Sequence, residues 1–286
     1  MSSQPDRESA APVKAAPKRK KNLNELAIRV ASALVLIPVV LWIIVIGQWA
    51  FLGLLCIGIG LLSVEWGVMA APKVARPMAV AICVAIIAAT LTVYLGNMFL
   101  GLVVLGLGTL CAGLYIRLLK GPYLDAAYGV FYIGWPALVL IWLRGTENGI
   151  YWVFFAFLIA WAADSAAYLV GKLIGGPKLW RKYSPNKTWS GFAGGMIAGM
   201  LTAGTLADLT NLFKSNTAAL LVGLITALAT MGGDLWESML KRRYGVKDSG
   251  TLIPGHGGLL DRVDGLMFAI VAIGGIRVLV RLGTVI

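Results

Sequence analysis

Ser238-Met-Leu-Lys241-Arg242-Arg243-Tyr-Gly-Val-Lys247-Asp248-Ser-Gly-Thr-Leu-Ile-Pro254-Gly-His256-Gly257-Gly258-Leu-Leu-Asp261-Arg262-Val-Asp264 is a charged, glycine-rich stretch set between two apolar segments. The segments, roughly 217–240 and 263–284, are each long enough to cross a bilayer. A membrane protein that needed only to stay folded would have no reason to collect acids, bases and its single histidine between two spans. Dense carboxylates beside dense cations suit a divalent metal ion and phosphates. The stretch therefore predicts phosphate chemistry at a membrane surface.

The same pattern extends outward. Hydrophobic residues make up 59% of the chain and charged ones 13%, where soluble domains are about a quarter charged. Nine spans are expected, at roughly 29–47, 49–71, 77–96, 98–117, 126–143, 150–171, 191–211, 217–240 and 263–284. This is an all-α, polytopic integral membrane protein with no soluble domain, and its 35 glycines suit close helix approach. Residues 1–26 are polar, with the basic cluster Lys18-Arg19-Lys20-Lys21, and predict a disordered tail. The tail lacks the features of a cleavable signal, and its cations favour a cytoplasmic N-terminus. With that orientation 21 of the 25 lysines and arginines fall inside, leaving Arg144, Lys214, Arg277 and Arg281 outside. Residues 27–145 then form a transmembrane scaffold, and 146–286 a catalytic transmembrane region with cytoplasmic loops 172–190 and 241–262.

The net charge of +12 invites a nucleic-acid reading. Placed between spans, the cations become topology signals and head-group contacts, so the bilayer is the partner and nucleic acid is not. Cys56, Cys83 and Cys111 each lie inside a span and read as small buried hydrophobes. Glu65, near the inner end of the second span, is the buried acid of the scaffold. It reads either as functional or as a helix-end acid paired with a cation.

Three segments carry the chemistry. In the first, Asp164, Tyr168 and Gly171 share one helix stripe. Asp164 would sit about 10 Å inside the helix end at 1.5 Å per residue. The second, Ser184-Pro185-Asn186-Lys187-Thr188-Trp189-Ser190-Gly191, reads as a helix start whose first amides and Lys187 hold an anion. It is not a Walker-type loop, because the glycine pattern and the preceding strand are missing. In the third, Asp234, Glu237, Ser238 and Lys241 follow helical spacing, Gly255, Gly257 and Gly258 let backbone amides close on a phosphate, and Asp261 and Asp264 open the last helix. Asp234 and Asp261 are candidates to converge on one magnesium ion. His256 reads as a phosphate contact or a loop hydrogen bond, since a lone histidine is a poor zinc site.

The third segment closely resembles the signature of phosphatidate cytidylyltransferases, or CDP-diacylglycerol synthases. That pattern is Ser-x-x-Lys-Arg, Lys-Asp-x-Gly, then Pro-x-His-Gly-Gly-x-x-Asp-Arg-x-Asp. It is met here by Ser238, Lys241, Arg242, Lys247, Asp248, Gly250, Pro254, His256, Gly257, Gly258, Asp261, Arg262 and Asp264. The Asp164 and Ser184 segments also resemble the family, whose likeness is strong over 160–265 and weak before it. The resemblance implies transfer of CMP from CTP to phosphatidic acid, with release of pyrophosphate. It also implies magnesium, a potassium ion beside it, and a homodimer in the bacterial inner membrane. On this reading Asp234, Asp261 and Asp264 serve the metal ions. Lys241, Arg242, Lys247, Asp248, His256 and Arg262 complete the catalytic set. Asp164, Tyr168, Ser184, Lys187, Thr188, Ser238, Gly257 and Gly258 bind substrate. One departure stands out: many members carry glutamate after Lys-Thr-Trp, where this chain has Ser190, so that role is either dispensable here or taken over by Glu237. A cytidylyltransferase or CTP-dependent kinase acting on another membrane lipid is the nearest alternative. A transporter is disfavoured because no internal repeat is visible and the charge gathers at one face.

Overall fold

The structure is a computed structural model that describes residues 34, 37–213, 215–250 and 257–283. The tail at 1–26, the start of the first expected span, and Pro254, Gly255 and His256 lie outside the described residues. A short apolar helix, α1 (Ile37–Ile46), is followed by α2 (Gln48–Ala70), α3 (Ala75–Tyr94), α4 (Met98–Leu118), α5 (Tyr123–Gly145) and α6 (Gly149–Ile174). Two strands, β1 (Lys178–Trp180) and β2 (Ser184–Thr188), precede α7 (Trp189–Thr210), α8 (Asn216–Arg243) and α9 (Leu260–Arg281). Eight of these helices are long and apolar enough to cross a membrane, and they match the last eight expected spans to within three residues. The chain is a multi-pass membrane protein.

Three local expectations are corrected. The segment before α7 is a short ribbon within the all-α membrane architecture: β1 and β2 pair antiparallel, with Lys178 opposite Thr188 and Trp180 opposite Ser184. Ser184 and Pro185 therefore lie in a strand and do not start a helix. The start belongs to Thr188, whose Oγ1 accepts from the amide of Gly191 at 3.1 Å. A proline tolerated at a strand edge looks the same in sequence as one in a first helical turn. The charged loop is also shorter than 241–262, since α8 carries Lys241, Arg242 and Arg243 as its last turn, where cations complement the helix dipole. Finally, the cysteines are free thiols that are half-buried (Cys56, Cys83) or exposed (Cys111), so Cys111 is no part of the core.

The helices pack in two groups joined through α5. That helix touches α2, α3 and α4 on one side and α6 and α9 on the other. It is accordingly the most enclosed span, with 72% of its apolar window buried. In the second group α7 turns Gly191, Gly195, Gly199, Ala203 and Ala207 inward at four-residue spacing. Without a hydrophobic drive inside lipid, small residues let backbones approach and dispersion contacts accumulate. One such close approach is where Gly223 of α8 meets α7: a Cβ there would lie 2.5 Å from the Gly199 carbonyl oxygen, 2.7 Å from Ala203 Cβ and 2.8 Å from Met200 Cα. Gly223→Ala should therefore cost about 1–3 kcal/mol of overpacking, read as a lower unfolding midpoint in detergent. An unchanged midpoint would contradict the close α7–α8 contact.

Candidate active site

The ends of α6, α7, α8 and α9 and the β1–β2 ribbon surround a cavity of about 750 Å³. Asp164, Tyr168 and Gly171 all line it, as their shared helix stripe requires. Helix α6 continues to Ile174, which puts Asp164 about 15 Å from its end, deeper than the sequence suggests. Lys187 and Thr188 arrive from β2, Asp234 from α8, and Asp261, Arg262 and Asp264 from the first turns of α9. Residues up to a hundred positions apart in sequence thus meet in one chamber.

Its charges divide into satisfied and unsatisfied groups. Lys187 forms an ion pair with Asp234, both side chains about one-third exposed (28% and 33%). Lys241 lies between two carboxylates, ion-paired with the buried Glu237 and 2.6 Å from Asp261 Oδ1. Asp261 Oδ2 accepts from the Ser249 amide and hydroxyl, each at 3.0 Å, and from the Gly258 amide at 3.2 Å. Gly258 has no room for a side chain, because a Cβ would overlap Ser249 Oγ, and Gly257 has φ +84°. Asp264 is different. It is only 7% exposed, accepts from the Gly265 amide at 2.8 Å, and among the described residues it forms no ion pair. Asp164 likewise has no ion pair there, and Asp164, Asp234 and Asp264 are close enough to repel one another.

Glu65 reads in sequence as either functional or a helix-end acid paired with a cation, and among the described residues it forms no ion pair. From α2 its two oxygens accept from the amides of Leu259 and Leu260, both at 2.7 Å, with Ser249 Oγ 3.5 Å away. The carboxylate satisfies the orphan amides at the start of α9 and suits the positive end of its dipole. Asp125, at the start of α5, accepts from the Tyr244 hydroxyl at 2.8 Å and lies 3.5 Å from Arg243. Burial, then that carboxylate, push the Tyr244 hydroxyl up from its ordinary range, so it stays a donor. The first half of the chain thus fixes the charged segment and does more than scaffold. No sequence spacing signals these contacts.

Other expected site residues lie around the chamber. Arg262 is exposed at its edge, and Lys172 and Lys178 join it as lining cations that sequence reasoning left unassigned. Lys172 Nζ sits 5.7 Å from the centroid of the exposed Tyr168 ring. Arg242, Lys247 and Asp248 are exposed beyond the lining, Ser238 is half-buried on α8, and Ser184 is half-buried in β2. Ser190 donates to the Gly175 carbonyl at 2.5 Å and accepts from the Thr188 hydroxyl at 3.0 Å, tying both ends of the ribbon together. Glu237 does not line the chamber.

These residues fit magnesium. Among the described residues no three acids, histidines or cysteines form a ready-made metal cage. Magnesium does not need one, since it takes one or two carboxylates and completes its shell with water and substrate phosphates. A buried carboxylate without a cation is costly, and Asp264 beside Asp234 and Asp164 is in that position.

Comparison with known proteins identifies the family. The family model described as the cytidylyltransferase family matches residues 27–277. A phosphatidate cytidylyltransferase of Brucella melitensis biotype 1 is 37% identical over 252 residues, covering 86% of this chain and 91% of that protein. The protein of the same name from Brucella suis biovar 1 is 37% identical over 255 residues, with the same coverage. One from Staphylococcus saprophyticus is 38% identical over 149 residues, or 52% of this chain and 57% of that protein. With a family match reaching from the first span into α9, and with the motif acids and cations gathered around one chamber, the chain belongs to the cytidylyltransferase family.

Proposed function

We propose that the chain transfers CMP from CTP to phosphatidic acid at the cytoplasmic face of the bacterial inner membrane, giving CDP-diacylglycerol and pyrophosphate. The observation that carries this reading is the single chamber in which Asp164, Asp234, Asp261 and Asp264 stand beside Lys172, Lys178, Lys187 and Arg262. The names of the relatives support the choice of substrates.

A phosphatidate oxygen attacks the α-phosphorus of CTP. One P–O bond forms as the bond to the bridging oxygen breaks, and the electron pair leaves on pyrophosphate. The phosphate nucleophile is already anionic, so no strong general base is needed. The barrier lies in bringing two polyanions together and in the charge that develops on the leaving group, both of which fixed cations lower. Lys187, Lys172, Lys178 and Arg262 meet the phosphates. Lys241 holds Asp261 in place through its two ion pairs. Asp234, Asp264 and Asp164 would hold magnesium, with Asp261 alongside and potassium as a second ion. When bound, the metal supplies positive charge against the phosphate oxygens. The exposed Arg242, Lys247 and Asp248 would meet the nucleotide, and His256 is proposed as a phosphate contact. A homodimer completes the proposal.

The test is an assay of the purified full-length chain with CTP, phosphatidic acid and magnesium, with products identified by mass. CDP-diacylglycerol and pyrophosphate are expected. Turnover of a lipid alcohol to a lipid phosphate with release of CDP, and none with phosphatidic acid, would identify a kinase and overturn the proposal.

A further inference from the structure

The far end of α9 borders a second cavity, of about 1110 Å³, formed with the ends of α2, α3, α4 and α5. The rise from Asp264 to Arg277 is about 20 Å at 1.5 Å per residue, so the two cavities lie at opposite ends of one helix. Arg144, Arg277 and Arg281 all line the second one. Arg277 and Arg281 are four residues apart and share a face of α9.

Two of these guanidinium groups are held in place without being neutralised. Arg144 Nε donates to the Ile44 carbonyl at 2.8 Å and its Nη2 to the Val45 carbonyl at 3.1 Å. Arg277 lies over the Trp152 ring, 5.4 Å from its centroid, and donates through Nη2 to the Glu147 carbonyl at 3.4 Å. Carbonyls and a ring orient a cation but leave its charge. Glu147 lines the same cavity, yet among the described residues no carboxylate forms an ion pair with any of the three arginines. Arg277 Nε is shielded from solvent and among the described residues has no hydrogen-bond partner. A buried donor without an acceptor is unfavourable, and three guanidinium groups with no carboxylate partner among the described residues favour an anion with several acceptor oxygens. The planar forks of arginine suit phosphate. Tyr94 and Trp142 border the cavity as well, and such rings settle at the level of lipid headgroups.

We propose that this cavity is a phosphate-binding site, taking a group with net negative charge, either the headgroup of an acidic phospholipid or the free ion. It is separate from the chemistry at the other end of α9 and does not depend on that assignment.

The test uses delipidated full-length protein in neutral detergent. Binding of dioleoylphosphatidylglycerol, dioleoylphosphatidylcholine and inorganic phosphate is followed by native mass spectrometry and by the unfolding midpoint. Phosphatidylglycerol is expected to bind and raise the midpoint more than phosphatidylcholine. Arg281→Gln should weaken its binding about tenfold through loss of a charged hydrogen-bond donor. Arg281 is exposed, so that variant should keep the lipid-free midpoint, while Arg277→Gln adds the second contact. Inorganic phosphate that raises the midpoint of the wild type alone, and displaces the lipid, would make the free ion the ligand. Equal binding of phosphatidylglycerol by wild type and Arg281→Gln, or equal binding of the two lipids, would overturn the site.

Discussion

Asp234→Asn is expected to lower CMP transfer by at least about 10²–10³, the loss seen when one preorganised electrostatic group is removed from an active site. Asp234 stands in the chamber between Lys187, its ion-pair partner, and the repelling carboxylates of Asp164 and Asp264. Asparagine keeps the shape and removes the charge, so both the pairing with Lys187 and the attraction for a divalent ion are lost. Asp234 is partly exposed, so the fold should survive. A second readout separates metal binding from chemistry: magnesium should raise the unfolding midpoint of the wild type and leave that of Asp234→Asn nearly unmoved. Wild-type turnover in the variant would remove Asp234 from the site.

Glu65→Ala should be the most destabilising single change in the first half of the chain. Two backbone amides, those of Leu259 and Leu260, would lose a charged acceptor at 2.7 Å in a place almost closed to water. At about 1.5–3 kcal/mol for each hydrogen bond to a charged group, the expected loss is about 3 kcal/mol or more. CMP transfer should fall too, because the start of α9 carries Asp261 and Asp264. Glu65→Gln keeps one acceptor oxygen but turns an amide N–H toward a backbone N–H, so it should fall between the two. Stability is read as the midpoint of detergent unfolding, and activity at saturating CTP. A variant with both values unchanged would show that Glu65 does not hold α9.

How each element became legible depended on the range of its cause. The span α8, for example, differs from its sequence reading by three residues at most, because bilayer thickness sets the number of apolar residues needed. The motif acids and cations were also visible, since phosphate chemistry requires those groups whatever the fold. The strand at Ser184–Thr188 was not visible. Its proline and serine suit a helix start equally well, and pairing with Lys178–Trp180 decided the matter. Nor was the partner of Glu65, whose nearest ligands lie 194 and 195 residues away.

Periodicity and apolar length, which act along the chain, determined the membrane class, the succession of helices and the residues that bring chemistry. Which charges are spent on one another and which stay available was decided only by the packing of α2, α5 and the last four helices. Lys241 is committed to Glu237 and Asp261, and Glu65 to the start of α9, while Asp264 is buried with no ion pair among the described residues. The reason is physical: charge pairing depends on distances through space, and in a bundle those distances are set by helix neighbours that the order of residues does not reveal.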